Sequence, residues 1–130
     1  ARVSARTITF KVWKEIFWVF EQQNVVLLFR QRADYLDYHS NPFLSKQERE
    51  YLIKKKIKLE GNLRCLPISR KKYRRQTQLY YFALEAVHDY GPIVVAKFGA
   101  LQNDILEDLR LLINQRIQKM RHQNLNKKSE

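Results

Sequence analysis

Cysteine occurs once in this chain, at Cys65, so no intramolecular disulfide can staple the fold. Among apolar neighbours a lone thiol reads as a small core residue suited to a reducing compartment. Glycine is almost as scarce. Gly61, Gly91 and Gly99 stand singly, which excludes a glycine-rich loop that cradles phosphate. His39, His88 and His122 are scattered, and no pair of His and Cys has metal-ligand spacing. No apolar run approaches the ~18 residues that cross a bilayer, and the first ten residues contain no apolar signal block. Acidic residues are few as well, 13 Asp and Glu against 25 Lys and Arg, for a formal net charge of +12. Asp104, Glu107 and Asp108 do cluster, but at the start of a helix they compensate its dipole. These absences argue against an enzyme, and no cofactor or metal is expected.

What the chain does hold is enough apolar material for one domain: 45% of its 130 residues are hydrophobic. Leu101, Ile105, Leu109, Leu112, Ile113, Ile117 and Met120 recur at three- and four-residue spacing, which predicts an amphipathic helix over 101–120. Arg116, Lys119 and Arg121 complement its C-terminal end. Before it, residues 2–10 read as an edge strand. Residues 13–20 are rich in aromatic and β-branched side chains and read as a strand. The apolar run 25–29 follows a turn at 22–24 as the second half of a hairpin. Residues 33–53 break the rhythm as an insertion, in which Ser40-Asn41-Pro42 is turn chemistry. Ser45 with Glu48 fits a capping box that opens a short helix near 45–52. Strands resume at 53–59, 63–68, 79–87 and 93–98, while 69–78 reads as an exposed loop. The organisation expected is one domain over 1–120 and a basic, frayed tail over 121–130. The chain does not begin with Met, so a piece of a longer protein or a processed product is expected, with further domains of a longer chain.

Two clusters carry the positive charge. Lys54, Lys55, Lys56 and Lys58 open one strand, with Lys56 and Lys58 facing away from Ile57 and Leu59. Arg70, Lys71, Lys72, Arg74 and Arg75 surround Tyr73 without one acid. Solvation alone accounts for many such runs, and edge lysines also discourage aggregation. Yet five cations without a carboxylate invite a polyanion. Nucleic acid is the weaker candidate, because the aromatics sit at core-like strand spacing and no helix-turn-helix or zinc spacing appears. Non-specific RNA binding would show a steep salt slope.

Trp13-Lys14-Glu15-Ile16-Phe17-Trp18-Val19-Phe20 is similar to the second strand of the pleckstrin-homology (PH) family. Tyr35-Leu36-Asp37-Tyr38 resembles the aromatic continuation of its third strand, and Lys56-Ile57-Lys58-Leu59 its fourth. Leu79-Tyr80-Tyr81-Phe82-Ala83-Leu84 resembles the strand before its final hairpin. The resemblance covers about residues 2–120. It implies a mostly β fold: a seven-stranded antiparallel barrel capped by one C-terminal α-helix. It also implies a phosphate site near Lys11 and Lys14. Departures are Ile16, where phosphoinositide-binding members commonly carry Arg, a helix without its usual Trp, and the long insertion.

The function expected is a non-catalytic binding module that recruits a larger protein to anionic, phosphoinositide-containing membrane surfaces. Lys11, Lys14, Lys54, Lys56 and Lys58 would contact phosphates, and Arg70, Lys71, Lys72, Arg74 and Arg75 would supply long-range attraction. The partners are anionic phospholipid headgroups or an acidic protein surface, with no specific nucleic acid. The location expected is cytoplasmic, peripheral at a membrane. The alternative is a PH-like scaffold whose exposed edge or 33–53 insertion contacts a protein.

Overall fold

Alternating aromatic and β-branched residues build β2 (Val12–Glu21), which turns at Gln22 and returns as β3 (Val25–Phe29). The computed structural model describes the backbone of residues 4–9, 12–72 and 77–129, and side chains over 15–72 and 77–123. On β2, Ile16 and Trp18 are buried in the main core, whereas Phe17 and Val19 pack into a second cluster on the opposite face. β3 divides likewise: Val26 and Leu28 join the main core, and Val25, Leu27 and Phe29 the second. Its unbroken apolar run is thus explained by burial on both faces.

The other strands are β1 (Ser4–Thr9), β4 (Ile53–Lys58), β5 (Leu63–Cys65), β6 (Ser69–Lys72), β7 (Gln78–His88) and β8 (Gly91–Ala100). They follow one antiparallel path, β4-β3-β2-β1-β8-β7-β5, with β6 also on β7. The fold is mostly β with a C-terminal helix, as expected. Several details differ. β1 is interior rather than an edge, because it pairs with β2 along its length and with β8 through Arg6↔Gly99 and Thr7↔Phe98. Part of the expected loop 69–78 is strand: β6 sets Ser69 to Lys72 opposite Tyr81 to Gln78. Cross-strand pairing with an aromatic partner has outweighed the run of charge. β5 and β6 pair with the same edge of β7 but are separated by residues 66–68, where Pro67 has no N–H to contribute. An eighth strand is the result.

The insertion folds as two helices, α1 (Arg32–Ser40) and α2 (Lys46–Leu52). α2 has its capping box: Glu48 N–H donates to Ser45 Oγ at 3.1 Å, and Ser45 N–H to Glu48 Oε1 at 3.3 Å. Tyr35 to Tyr38, expected to continue a strand, is helical instead. A three-residue spacing puts both tyrosines on one helix face, where Tyr35 and Tyr38 each lie 5.5 Å from the Phe29 ring and Tyr35 lies 5.3 Å from Phe17. Tyr38 also donates to Glu21 Oε2 at 2.7 Å and lies under the Arg49 guanidinium, 4.6 Å away. Burial, then the Glu21 carboxylate, push its phenol above the ordinary value. α1 is therefore the cover of the second cluster.

The final helix, α3, runs Asn103–Ser129, later in starting and longer than the spacing of its apolar residues predicts. Leu101 lies outside it and is exposed, while Leu106, absent from the expected stripe, is fully buried with Leu109, Ile113 and Ile117. Burying each such side chain is worth about 1.5–3 kcal/mol, so α3 is the main cover of the core.

Candidate anionic-surface site

The register of β4 sorts its lysines by face. Lys55 opposes Leu28 and Ile57 opposes Val26, both main-core residues. Lys56 opposes Leu27 and Lys58 opposes Val25, so these two stand on the outer face. The ladder slips between Leu28 and Phe29, and Lys54 is the residue left in the irregularity. Lys55, Lys56 and Lys58 are exposed, and Lys54 is half-buried.

Lys55 makes the informative contact. Its Nζ donates to the carbonyl of Val95 on β8, 40 residues away. The β7–β8 ladder slips between Leu84 and Glu85, which pair with Ala96 and Val94 and leave Val95 unopposed. A bulge of this kind frees a backbone carbonyl for a side-chain donor. The contact ties the Lys55 side chain to the bulge from which the outer half of the β7–β8 hairpin extends. There Val87, Tyr90, Ile93 and Val94 are exposed, Tyr90 by 77%. Tyr90 stacks on His88 with ring centroids 5.0 Å apart, and Gly91 completes the turn at a φ of 119°, which only glycine adopts without strain. This apolar tip escaped the sequence reading, since alternation within a strand looks the same whether or not a neighbour covers it.

The second basic cluster lies elsewhere. Arg70, Lys71 and Lys72 on β6 are exposed and oppose Tyr80, Leu79 and Gln78, and Tyr80 in turn pairs with Ala100. Five residues of β8 separate Ala100 from Val95, about 17 Å at the rise of a strand. The β4 and β6 cations therefore do not share one rim. Lys71 Nζ sits 5.6 Å from the Tyr81 ring centroid. Arg70 borders a cleft of about 290 Å³ with Ile68, Ser69, Tyr80, Asn103 and Glu107. The Glu107 carboxylate there accepts a hydrogen bond from the Asn103 amide at 3.0 Å. Lys14 occupies the β2 position opposite Thr7. Lys11, Arg74 and Arg75 lie outside the described residues.

Cations on α3 do different work. Arg121 donates to the carbonyls of Gly61 and Leu63, both at 2.7 Å, and Arg110 to those of Leu66 at 2.8 Å and Cys65 at 3.3 Å. Arg116 donates to Gln22 and Gln23, each at 3.0 Å, with its guanidinium 4.2 Å from the Phe20 ring centroid. Six backbone carbonyls are satisfied in this way. Cys65 lies half-buried beside these arginines, and burial pushes its thiol up to about 11 although Arg110 and Arg121 pull the other way.

Among the described residues no group of three or more His, Cys, Asp or Glu could hold a metal ion, and no helix is long and apolar enough to cross a membrane. No protein-family model matches the chain, and no curated protein matches its sequence.

Proposed function

We propose that this chain is a non-catalytic module of PH-like architecture that docks on anionic membrane surfaces. The strand order supports this architecture, with β5 and β6 as halves of one strand in a seven-stranded barrel plugged by α3. The observation that carries the functional reading is the Lys55–Val95 contact, which ties the lysine-rich strand β4 to a hairpin whose tip exposes apolar side chains. Peripheral binding needs both terms. Each Lys near an anionic leaflet contributes about 1 kcal/mol, and apolar side chains inserted at the headgroup boundary supply the second signal that charge alone lacks. Arg70, Lys71 and Lys72 add attraction at longer range.

Ile16, where phosphoinositide-binding PH domains commonly carry Arg, is a core residue 2% exposed. An anionic bilayer in general, phosphatidylserine as well as phosphoinositide, is therefore the ligand this reading favours. A partner strand added at β5 is disfavoured, because Arg110 and Arg121 already occupy the carbonyls there.

Co-sedimentation with neutral, phosphatidylserine and phosphoinositide vesicles tests the proposal at low and physiological salt. Ile93→Ser with Val94→Ser should lower binding at physiological salt, and Lys56→Glu with Lys58→Glu should lower it at both. If neither pair changes binding to any vesicle, the rim is not the docking surface.

A further inference from the structure

The insertion differs in charge from everything around it. Residues 31–52 hold three cations and four carboxylates, whereas residues 53–98 hold eleven cations and three carboxylates. An anionic bilayer has no electrostatic reason to prefer this region. Yet the insertion displays the most exposed large apolar side chain recorded among the described residues: Phe43, between α1 and α2, is 92% exposed.

Phe43 is presented by a turn held at both ends. Asn41 ends α1, its N–H donating to the Asp37 carbonyl at 3.0 Å. The Phe43 N–H donates back to Asn41 Oδ1 at 3.0 Å, an Asx turn around Pro42, whose ring fixes φ. Two residues on, the Ser45–Glu48 capping box opens α2. α1 itself is anchored to the β2–β3 hairpin through Tyr35 and Tyr38. The loop is short, and its conformation is set before any partner arrives. Preorganisation of this kind lowers the ordering cost of binding.

We propose that the Asn41-Pro42-Phe43 turn is a docking element for another protein. The partner has an apolar pocket that admits a phenyl ring and a neutral or basic rim that tolerates the carboxylates of the insertion. Phe43 fills the pocket. The Asn41 amide, whose Oδ1 is engaged in the turn, offers its Nδ2 hydrogens to the pocket wall.

The test presents the intact chain, at physiological salt, to an array of purified peptide-recognition domains, with phosphatidylserine vesicles as a separate arm. Wild type, Phe43→Ala and Asn41→Ala are compared, with near-UV circular dichroism and the melting midpoint as controls for folding. At least one domain should bind wild type, and Phe43→Ala should weaken that binding by about 30-fold or more, as expected for a buried anchor. Asn41→Ala, which keeps the ring but releases the turn, should weaken it as well. Vesicle binding should be unchanged by both. The proposal is overturned if no domain of the array binds wild type, or if Phe43→Ala is bound as well as wild type. It is also overturned if Phe43→Ala lowers vesicle binding instead, which would make Phe43 a bilayer anchor.

Discussion

Arginines on α3 and lysines on β4 carry the same charge to opposite ends. Arg110, Arg116 and Arg121 aim their guanidinium groups at carbonyls that secondary structure leaves unpaired, on the β5 edge and in the β2–β3 turn. Lys56 and Lys58 stand exposed, and among the described residues no carboxylate pairs with either. Part of the +12 is therefore structural and part is available to a ligand. Chemistry assigns the roles: a planar fork of donors suits several fixed carbonyls at once, while a flexible ammonium suits a diffuse anionic surface.

Substitutions can separate the two. The largest effect is expected from Arg121→Ala, which strands two carbonyls beside the β5 edge. Urea denaturation should show a loss of about 2 kcal/mol, while vesicle binding per folded molecule stays unchanged. Lys56→Glu with Lys58→Glu should do the reverse. Vesicle affinity should fall by about 30-fold or more, and the urea midpoint should hold. If the charge reversal unfolds the protein, or if Arg121→Ala abolishes binding in folded molecules, the division is wrong.

Arg116→Lys sharpens the contrast, because it keeps the charge and removes the fork. A loss of about 1 kcal/mol is expected in the same urea measurement. Gln22→Gly, which relieves the positive φ of 58° in the turn that Arg116 holds, should recover part of it. Cys65 gives the smallest signal. With its thiol raised to about 11 from an ordinary 9.0, alkylation should show a pH midpoint near 11. The raised value favours the fold fully below pH 9, and that contribution is lost as the pH rises through about 11. Arg110 and Arg121 hold the thiol down, so Arg121→Ala should move the alkylation midpoint higher still.

Where local rules decide, reading the residues in order found the element. The Ser45–Glu48 capping box placed α2, and aromatic and β-branched composition placed β2 and β7. α1 was missed because its stripe is two tyrosines among charges, and only the Phe29 side of β3 makes them a packing face. The β4 and β6 cations were visible as clusters, yet whether they meet depends on strand order, which spacing within a segment does not encode. The arginine contacts were hidden for a related reason. Which carbonyls go unpaired is a property of the assembled sheet. Lys55, the lysine of that cluster with no phosphate contact expected of it, is the residue that ties β4 to β8.

The placement of β1 bears on how the molecule is made. β1 comes first among the described strands, and it pairs on one side with β8, the last of them. Arg116 joins the turn after β2 across a separation of 94 residues. A nascent chain that has emerged only as far as residue 80 therefore holds hairpins with no lid and an unsealed flank. Contacts so distant along the chain slow folding toward milliseconds to seconds and leave apolar strands exposed meanwhile. A stop codon or a protease cut before α3 would yield a chain that aggregates rather than a smaller working domain.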